Sequence, residues 1–217
     1  MSYPRLFLDT ADVAEIREAV ATGIIAGVAT NPNKLMRSGI KPQDVVDEIR
    51  SFFDGPIALQ ALGRTADELE ADGLRLNGLG PNLAVKIPTT FEGLKAITRL
   101  VPQGVATNAT LVFNPGQGLA AGLAGSPYIS PFIGRAVMMG GDGIAVIRDI
   151  RKCYDAFGIG TCIVGASIKD ARQAVEAIKA GAHAVAVTYP VFRGMLSHPA
   201  TDAGLEEFIR NATEIEQ

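Results

Sequence analysis

The segment "NLAVKIPTT" places Lys86 in the middle of an otherwise apolar run, with Leu83, Ala84 and Val85 before it and Ile87 and Pro88 after it. Burying an ammonium group is costly unless it is paired, and desolvation favours the neutral amine instead. Either Lys86 snorkels out to water, or its amine is wanted uncharged for chemistry. An uncharged lysine in a crowded apolar site is a nucleophile toward carbonyls. Attack on a ketone gives an iminium, an electron sink that stabilises a carbanion at the adjacent carbon. That is class I aldol chemistry and asks for no metal and no cofactor. It does ask for a carboxylate to carry a proton to and from a substrate hydroxyl. Asp9 in "LFLDTAD" is the strand-end carboxylate available for this. Gln60 and Thr110 suit the water that shuttles protons during carbinolamine dehydration. Arg135, Ser167 and Lys169 suit a phosphate.

These residues need elements that bring them together. Short apolar strand candidates fall near 5–9, 26–30, 57–62, 83–88, 105–112, 128–133, 161–166 and 184–189. Amphipathic helix candidates lie between and after them, near 11–22, 41–53, 66–77, 91–101, 115–124, 142–157, 169–180 and 190–197. Eight strand–helix units predict a single (β/α)8 TIM barrel, and the length of 217 residues suits one such domain. No glycine fingerprint follows the first strand, which argues against a doubly wound dinucleotide fold. The spacing Thr65-Ala66-Asp67-Glu68 predicts a capping box, and Lys41-Pro42 predicts a proline in the first turn of a helix. An additional helix from 202 to about 213 carries Leu205, Phe208, Ile209 and Ala212 on one stripe. With the eight-fold cycle complete, that stripe is expected either against its own barrel or on a neighbouring subunit.

Side chains of barrel strands alternate inward and outward, and barrel sites gather at the C-terminal strand ends. On that alternation Lys86 shares its face with Ala84 and Pro88, Asp9 with Phe7, Asn31 with Ala29 and Gly27, and Gln60 with Ala58 and Leu62. Asn108 and Thr110 share a face with Ala106, Ser130 goes with Phe132, and Ser167 follows Gly165 and Ile163, with Lys169 next in phase. Polar insertions at random would fall on both faces. Each residue also has a plain reading. Asp9 with Thr10 caps the first helix, Asn31-Pro32 is a turn, and Gln60 is an interior amide. Thr110 answers to strand propensity, Phe132 to core packing, Arg135 to an ion pair with Asp142, and Lys169 to a solvated helix start. Their convergence on one face favours the shared site.

A net charge of −3 with no basic run predicts no nucleic-acid partner and no acidic membrane surface. No window is long and apolar enough for a membrane span, and "MSYPRLFLDTAD" lacks the basic-then-apolar pattern of a signal peptide. Cys153 and Cys162 form no disulfide framework, and His183 and His198 have no metal spacing. A cytoplasmic location is the expectation.

The segments "LFLDTAD", "GVATNP", "LAVKIPTT", "TNATLVFNPGQGLAAGLAG", "YISPFIGR" and "VGASIKD" resemble, in order and over nearly the whole chain, the small transaldolase family that includes fructose-6-phosphate aldolases. The resemblance implies Lys86 as the Schiff-base lysine and Asp9 as the proton-transfer group. It implies Asn31, Gln60, Asn108, Thr110, Ser130, Arg135 and Ser167 as residues lining a sugar-phosphate site. It also implies homo-oligomers, pentamers or decamers, in which the last helix packs on a neighbour. The implied activity is transfer of a dihydroxyacetone unit from a ketose phosphate to an aldose phosphate, as in pentose phosphate metabolism. The alternative is an aldolase that releases free dihydroxyacetone and glyceraldehyde 3-phosphate from fructose 6-phosphate. Gln60 resembles the aldolases, where transaldolases usually have glutamate. Phe132, Ser130 and Asn108 resemble the transaldolases. "RAVMMGGDG" and "AVTYPVFRGM" depart from the usual family pattern on either side of the expected mouth. A reading of a different class is a sugar-phosphate isomerase or binding barrel that forms no Schiff base.

Overall fold

A computed structural model describes residues 5–30 and 41–215. Eight parallel strands close a barrel in sequence order, β8 returning to pair with β1. They are β1 Arg5–Asp9, β2 Ile25–Ala29, β3 Ile57–Gln60, β4 Leu83–Pro88, β5 Ala106–Val112, β6 Tyr128–Pro131, β7 Cys162–Gly165 and β8 Ala184–Val187. Around them lie α1 Val13–Val20, α2 Pro42–Arg50, α3 Ala66–Asn77, α4 Phe91–Leu100, α5 Pro115–Leu123, α6 Ile133–Met138, α7 Gly143–Phe157, α8 Ala171–Lys179 and α9 Tyr189–Leu196. A last helix, α10 Pro199–Ile215, follows the completed barrel. Among the described residues, no helix is long and apolar enough to cross a membrane.

Local signals set the helix starts. Thr65 and Glu68 form the expected capping box at α3, and Pro42 opens α2. The cap of α1 is Asp12, whose carboxylate accepts from Ala14 and Glu15 N–H groups. Asp9 is therefore not spent on that helix. After β6 the single helix expected near 142–157 is preceded by the short α6. Six residues make fewer than two turns and leave no periodicity to read. Gly140, at φ 81°, and Gly141 then separate it from α7, whose cap is Asp142.

The strands divide the core into two layers. Outward side chains such as Leu8, Val28, Leu59, Val85, Ile87, Ile129 and Val187 pack beneath the helices. Each contributes about 1.5–3 kcal/mol when fully buried. The inner layer holds Phe7, Ala29, Ala58, Ala84, Val164, Ala184 and Ala186. Phe7 fills much of the axis, and Gly27 makes the room, since a Cβ there would lie 3.0 Å from the ring. On β7 the expected phase is reversed: Val164 faces inward, and Ile163 packs in the outer layer. Apolar residues fill both faces of this strand, so its sequence carries no alternation to fix the phase.

The apolar stripe of α10 stays uncovered. Leu205 is 55%, Phe208 72% and Ile209 54% exposed, so the helix does not lie on its own barrel.

At the opposite end from the strands' C-termini, His183 joins β7 to α7. Its Nδ1 accepts from the Ile163 N–H at 3.0 Å, and Arg151 Nη1 lies 2.8 Å from Nε2. Burial, and then the neighbouring Arg151 charge, lower the His183 pKa from the ordinary 6.5, with Asp155 pulling weakly the other way. The folded state disfavours the imidazolium, whereas the unfolded chain takes up the proton near 6.5. The stability that His183 contributes is therefore complete above that pH and is lost as pH falls through its lowered folded value. Melting temperature followed between about pH 7 and pH 5 should fall in the wild type and fall less steeply in His183→Gln. Equal slopes would show that another group controls acid stability.

Candidate active site

The C-terminal ends of the strands surround a cavity of about 530 Å³. Asp9 reaches it from β1, Gln60 from β3, Lys86 from β4, Asn108 and Thr110 from β5, and Ser130 from β6. Phe132, Arg135, Ser167 and Lys169 line it from the segments that follow β6 and β7. Every site residue expected from the sequence is there except Asn31, which lies outside the described residues.

Strand register puts the central residues in one row. Gln60 stands beside Lys86, and Lys86 beside Asn108, on three neighbouring strands. Lys86 is 6% exposed, which rules out the snorkelling reading. One contact of its Nζ is the Thr30 carbonyl oxygen at 3.4 Å. The alanines of the inner layer leave space for its long side chain. Asp9 is the one carboxylate among the described residues that line the cavity.

Hydrogen bonds orient the polar groups. Ser130 Oγ donates to Asn108 Oδ1 at 2.8 Å, which fixes the amide oxygen and leaves the Nδ2 donors for a ligand. Gln60 Nε2 donates to the main-chain oxygens of Lys86 (2.9 Å) and Ala61 (3.1 Å). Two acceptors on one side settle which way round this amide stands. Its Oε1 is the part left to accept from a ligand or water. Thr110 Oγ1 is buried and has no hydrogen-bond partner. Buried hydroxyls are rarely left so, and this one lies in the cavity wall.

The mouth carries the positive charge. The Arg135 guanidinium sits 5.1 Å from the Phe132 ring centroid, and Phe132 in turn forms a tilted pair with Phe113 at 5.8 Å. Phe132 is thus a wall of the cavity and a support for Arg135. Asp142 is occupied by capping α7, and Arg135 lines the cavity. Lys169 lies across Gly134, where a Cβ would be 2.6 Å from its Cγ. Ser167 reaches the cavity by a route that alternation did not foresee. With β7 in the opposite phase, its left-handed φ of 57° turns it back to the rim. Thr188 also lines the cavity and was missed. It continues the inward phase of Ala184 and Ala186, a signal that alternation along β8 contains. Among the described residues no cluster of three or more His, Cys, Asp or Glu side chains gathers to hold a metal.

A (β/α)8 barrel with an interior amine, a carboxylate and a cationic mouth at its strand ends has the layout of a barrel enzyme. The chain belongs to the transaldolase/fructose-6-phosphate aldolase family, whose model matches residues 6–217. It is 44% identical over 204 residues to a probable transaldolase of Desulforudis audaxviator, covering 94% of this chain and 95% of the relative. It is 44% identical over 205 residues to probable transaldolase 1 of Listeria monocytogenes, covering 94% and 96%. Among solved structures, thiamine phosphate pyrophosphorylase from Pyrococcus furiosus superposes with a TM-score of 0.57 at 16% identity, over 85% of each chain. A lactate oxidase of Pediococcus acidilactici gives 0.61 at 14% identity, over 85% of this chain and 62% of that one. At such identities these two likenesses concern the barrel alone.

The surroundings of Gln60 yield a prediction. A glutamate there cannot donate to the Lys86 and Ala61 carbonyls and would place a carboxylate against two acceptors. Gln60→Glu should lower stability by about 1–3 kcal/mol, measured by urea unfolding at neutral pH. An unchanged midpoint would mean that the side chain turns away without penalty.

Proposed function

We propose that the chain is a transaldolase-type enzyme that transfers a dihydroxyacetone unit from a ketose phosphate to an aldose phosphate through a Schiff base on Lys86. The observation that carries this reading is the buried Lys86 amine in a cavity shared with Asp9, Gln60, Asn108 and Thr110. The unprotonated amine attacks the ketose carbonyl carbon to give a carbinolamine. Loss of water, with protons moved through a water held by Gln60 Oε1 and Thr110 Oγ1, gives the iminium. The bond between the third and fourth carbons then breaks. Its electron pair moves into the iminium to form an enamine, the proton of the fourth-carbon hydroxyl passes to the Asp9 carboxylate, and the aldose leaves. The enamine attacks the aldehyde of the acceptor, Asp9 returns its proton to the new hydroxyl, and hydrolysis frees Lys86. Asn108 Nδ2, held by Ser130, suits a hydroxyl of the three-carbon unit. Arg135, Ser167 and Lys169 suit the phosphate of the substrate, and Asn31 is carried with them on the family resemblance.

The second reading, an aldolase that releases free dihydroxyacetone, is favoured by the amide at Gln60 in place of a carboxylate. Against it stands Phe132, which has no hydroxyl with which to help protonate the enamine. Transfer is the conclusion because that wall holds no proton donor. The proposal needs no bound cofactor and places the enzyme in the cytoplasm.

Borohydride added with fructose 6-phosphate should attach a reduced three- or six-carbon adduct to the peptide that contains Lys86, read by mass spectrometry. Lys86→Arg should lose turnover by about 10³-fold or more. If that variant instead keeps isomerisation or binding, the barrel forms no Schiff base. Product formation that requires erythrose 4-phosphate marks transfer, and release without an acceptor marks the aldolase.

We further propose that the chain works as a homo-oligomer, a pentamer or decamer, with the stripe of α10 seated on a neighbouring copy. Helices in proteins draw most of their stability from packing an amphipathic face, and Leu205, Phe208 and Ile209 are exposed on this one. Light scattering should give a mass several times that of one chain, and Phe208→Glu should shift it toward the monomer. A monomeric wild type would defeat the proposal.

A further inference from the structure

The end of β5 is irregular. Leu111 has φ 59°, in the left-handed region that side-chain-bearing residues rarely adopt, and the pairing with β6 shifts register between Thr110 and Val112. Something must hold this bend. The Thr110 carbonyl oxygen receives two donors from one residue, the Thr89 N–H at 2.8 Å and the Thr89 hydroxyl at 2.9 Å. Thr89 is fixed in its turn, because its carbonyl accepts from Gln117 Nε2 at 3.2 Å. The other end of that amide, Oε1, accepts from the Phe113 N–H at 2.8 Å. Gln117 thus ties the segment after β4 to the segment after β5, with the left-handed Leu111 held between. Neither Thr89 nor Gln117 is among the residues lining the cavity.

The result of this bracing is visible at Thr110. Its carbonyl is doubly satisfied, yet its hydroxyl is buried in the cavity wall with no partner. A slackened strand end would let that hydroxyl turn to a main-chain acceptor, as threonines in irregular segments commonly do. We propose that Thr89 and Gln117 are positioning residues which lock the β5 bend, so that Thr110 Oγ1 is kept unspent for the water of carbinolamine dehydration. The inference rests on the Schiff-base reading above, and it adds two residues that act only through Thr110.

Three variants separate positioning from simple stabilisation. Thr89→Val is near-isosteric and keeps the main-chain donor while removing the hydroxyl. Thr89→Ser restores the hydroxyl. Gln117→Glu keeps the acceptor for Phe113 and loses the donor to Thr89. The rate at which the lysine adduct forms from fructose 6-phosphate is measured by rapid quench into borohydride, together with kcat, KM and melting temperature. Thr89→Val and Gln117→Glu should each slow adduct formation and kcat by about ten-fold, with KM within about two-fold of wild type. Thr89→Ser should return close to wild type. In a Thr110→Val background, Thr89→Val should add little, since both remove the same contribution. Wild-type rates with only a lower melting temperature would overturn the inference, as would a full further ten-fold loss in the double variant. If Thr89→Val does not fold, Gln117→Glu decides the matter by the same readings. Absence of any adduct in the wild type defeats the functional reading and this inference with it. An adduct in the wild type with unchanged rates in the variants defeats only the inference.

Discussion

Space inside the barrel is the constraint on which the site depends. Eight strands closed in a ring leave an interior just wide enough to be filled by side chains. Here much of that filling is alanine: Ala29, Ala58, Ala84, Ala184 and Ala186, with the Phe7 ring as the bulky component. Small inner side chains leave volume that a lysine can occupy, and the residues in register with it, Gln60 and Asn108, flank it on the two neighbouring strands. The outer layer carries the opposite duty. Leucine, isoleucine and valine beneath the helices supply the burial that holds the barrel closed, so the inner layer is free to be sparse at its C-terminal end.

Within that space, hydrogen bonds are divided between holding and offering. The Ser130 hydroxyl goes to Asn108, the Thr89 hydroxyl to a carbonyl, and the Gln60 nitrogen to two carbonyls. What is left to meet a ligand beside Lys86 is the Asn108 nitrogen, the Gln60 oxygen and the Thr110 hydroxyl. The two amides are each held at their other atom, which reduces the reorganisation required when a ligand arrives. The mouth follows the same rule with weaker forces, as Arg135 rests against Phe132 and Phe132 against Phe113.

Alternation made much of this readable. Phe7–Asp9, Ala58–Gln60 and Ala84–Lys86 each stand two residues apart on strands whose other face is plainly apolar, and Asn108–Thr110 keep the same spacing on β5, so phase and function could be read together. β7 carries no such signal, because Ile163, Val164 and Gly165 give no contrast between faces. Ser167 reached the cavity by its backbone conformation, which no periodicity encodes. The short α6 escaped for want of length. The supporting bonds from Thr89 and Gln117 were invisible for another reason: they depend on a bend at Leu111, and a leucine gives no local sign that its φ will be positive.

The same contrast explains why the last helix differs from the other nine described. Each helix around the barrel has a strand face beneath it, and its apolar stripe is specified by that contact. The stripe of α10 is equally regular, yet Leu205, Phe208 and Ile209 are left more than half exposed. Periodicity shows that a helix has an apolar face but not which molecule supplies the other half of the contact. For the barrel helices, chain connectivity answers that question, because a strand–helix–strand unit returns the helix to its own sheet. Among the described residues no strand follows the eighth unit to enforce the return. The helix is then not tied to its own sheet, and its apolar stripe is left exposed on the single chain.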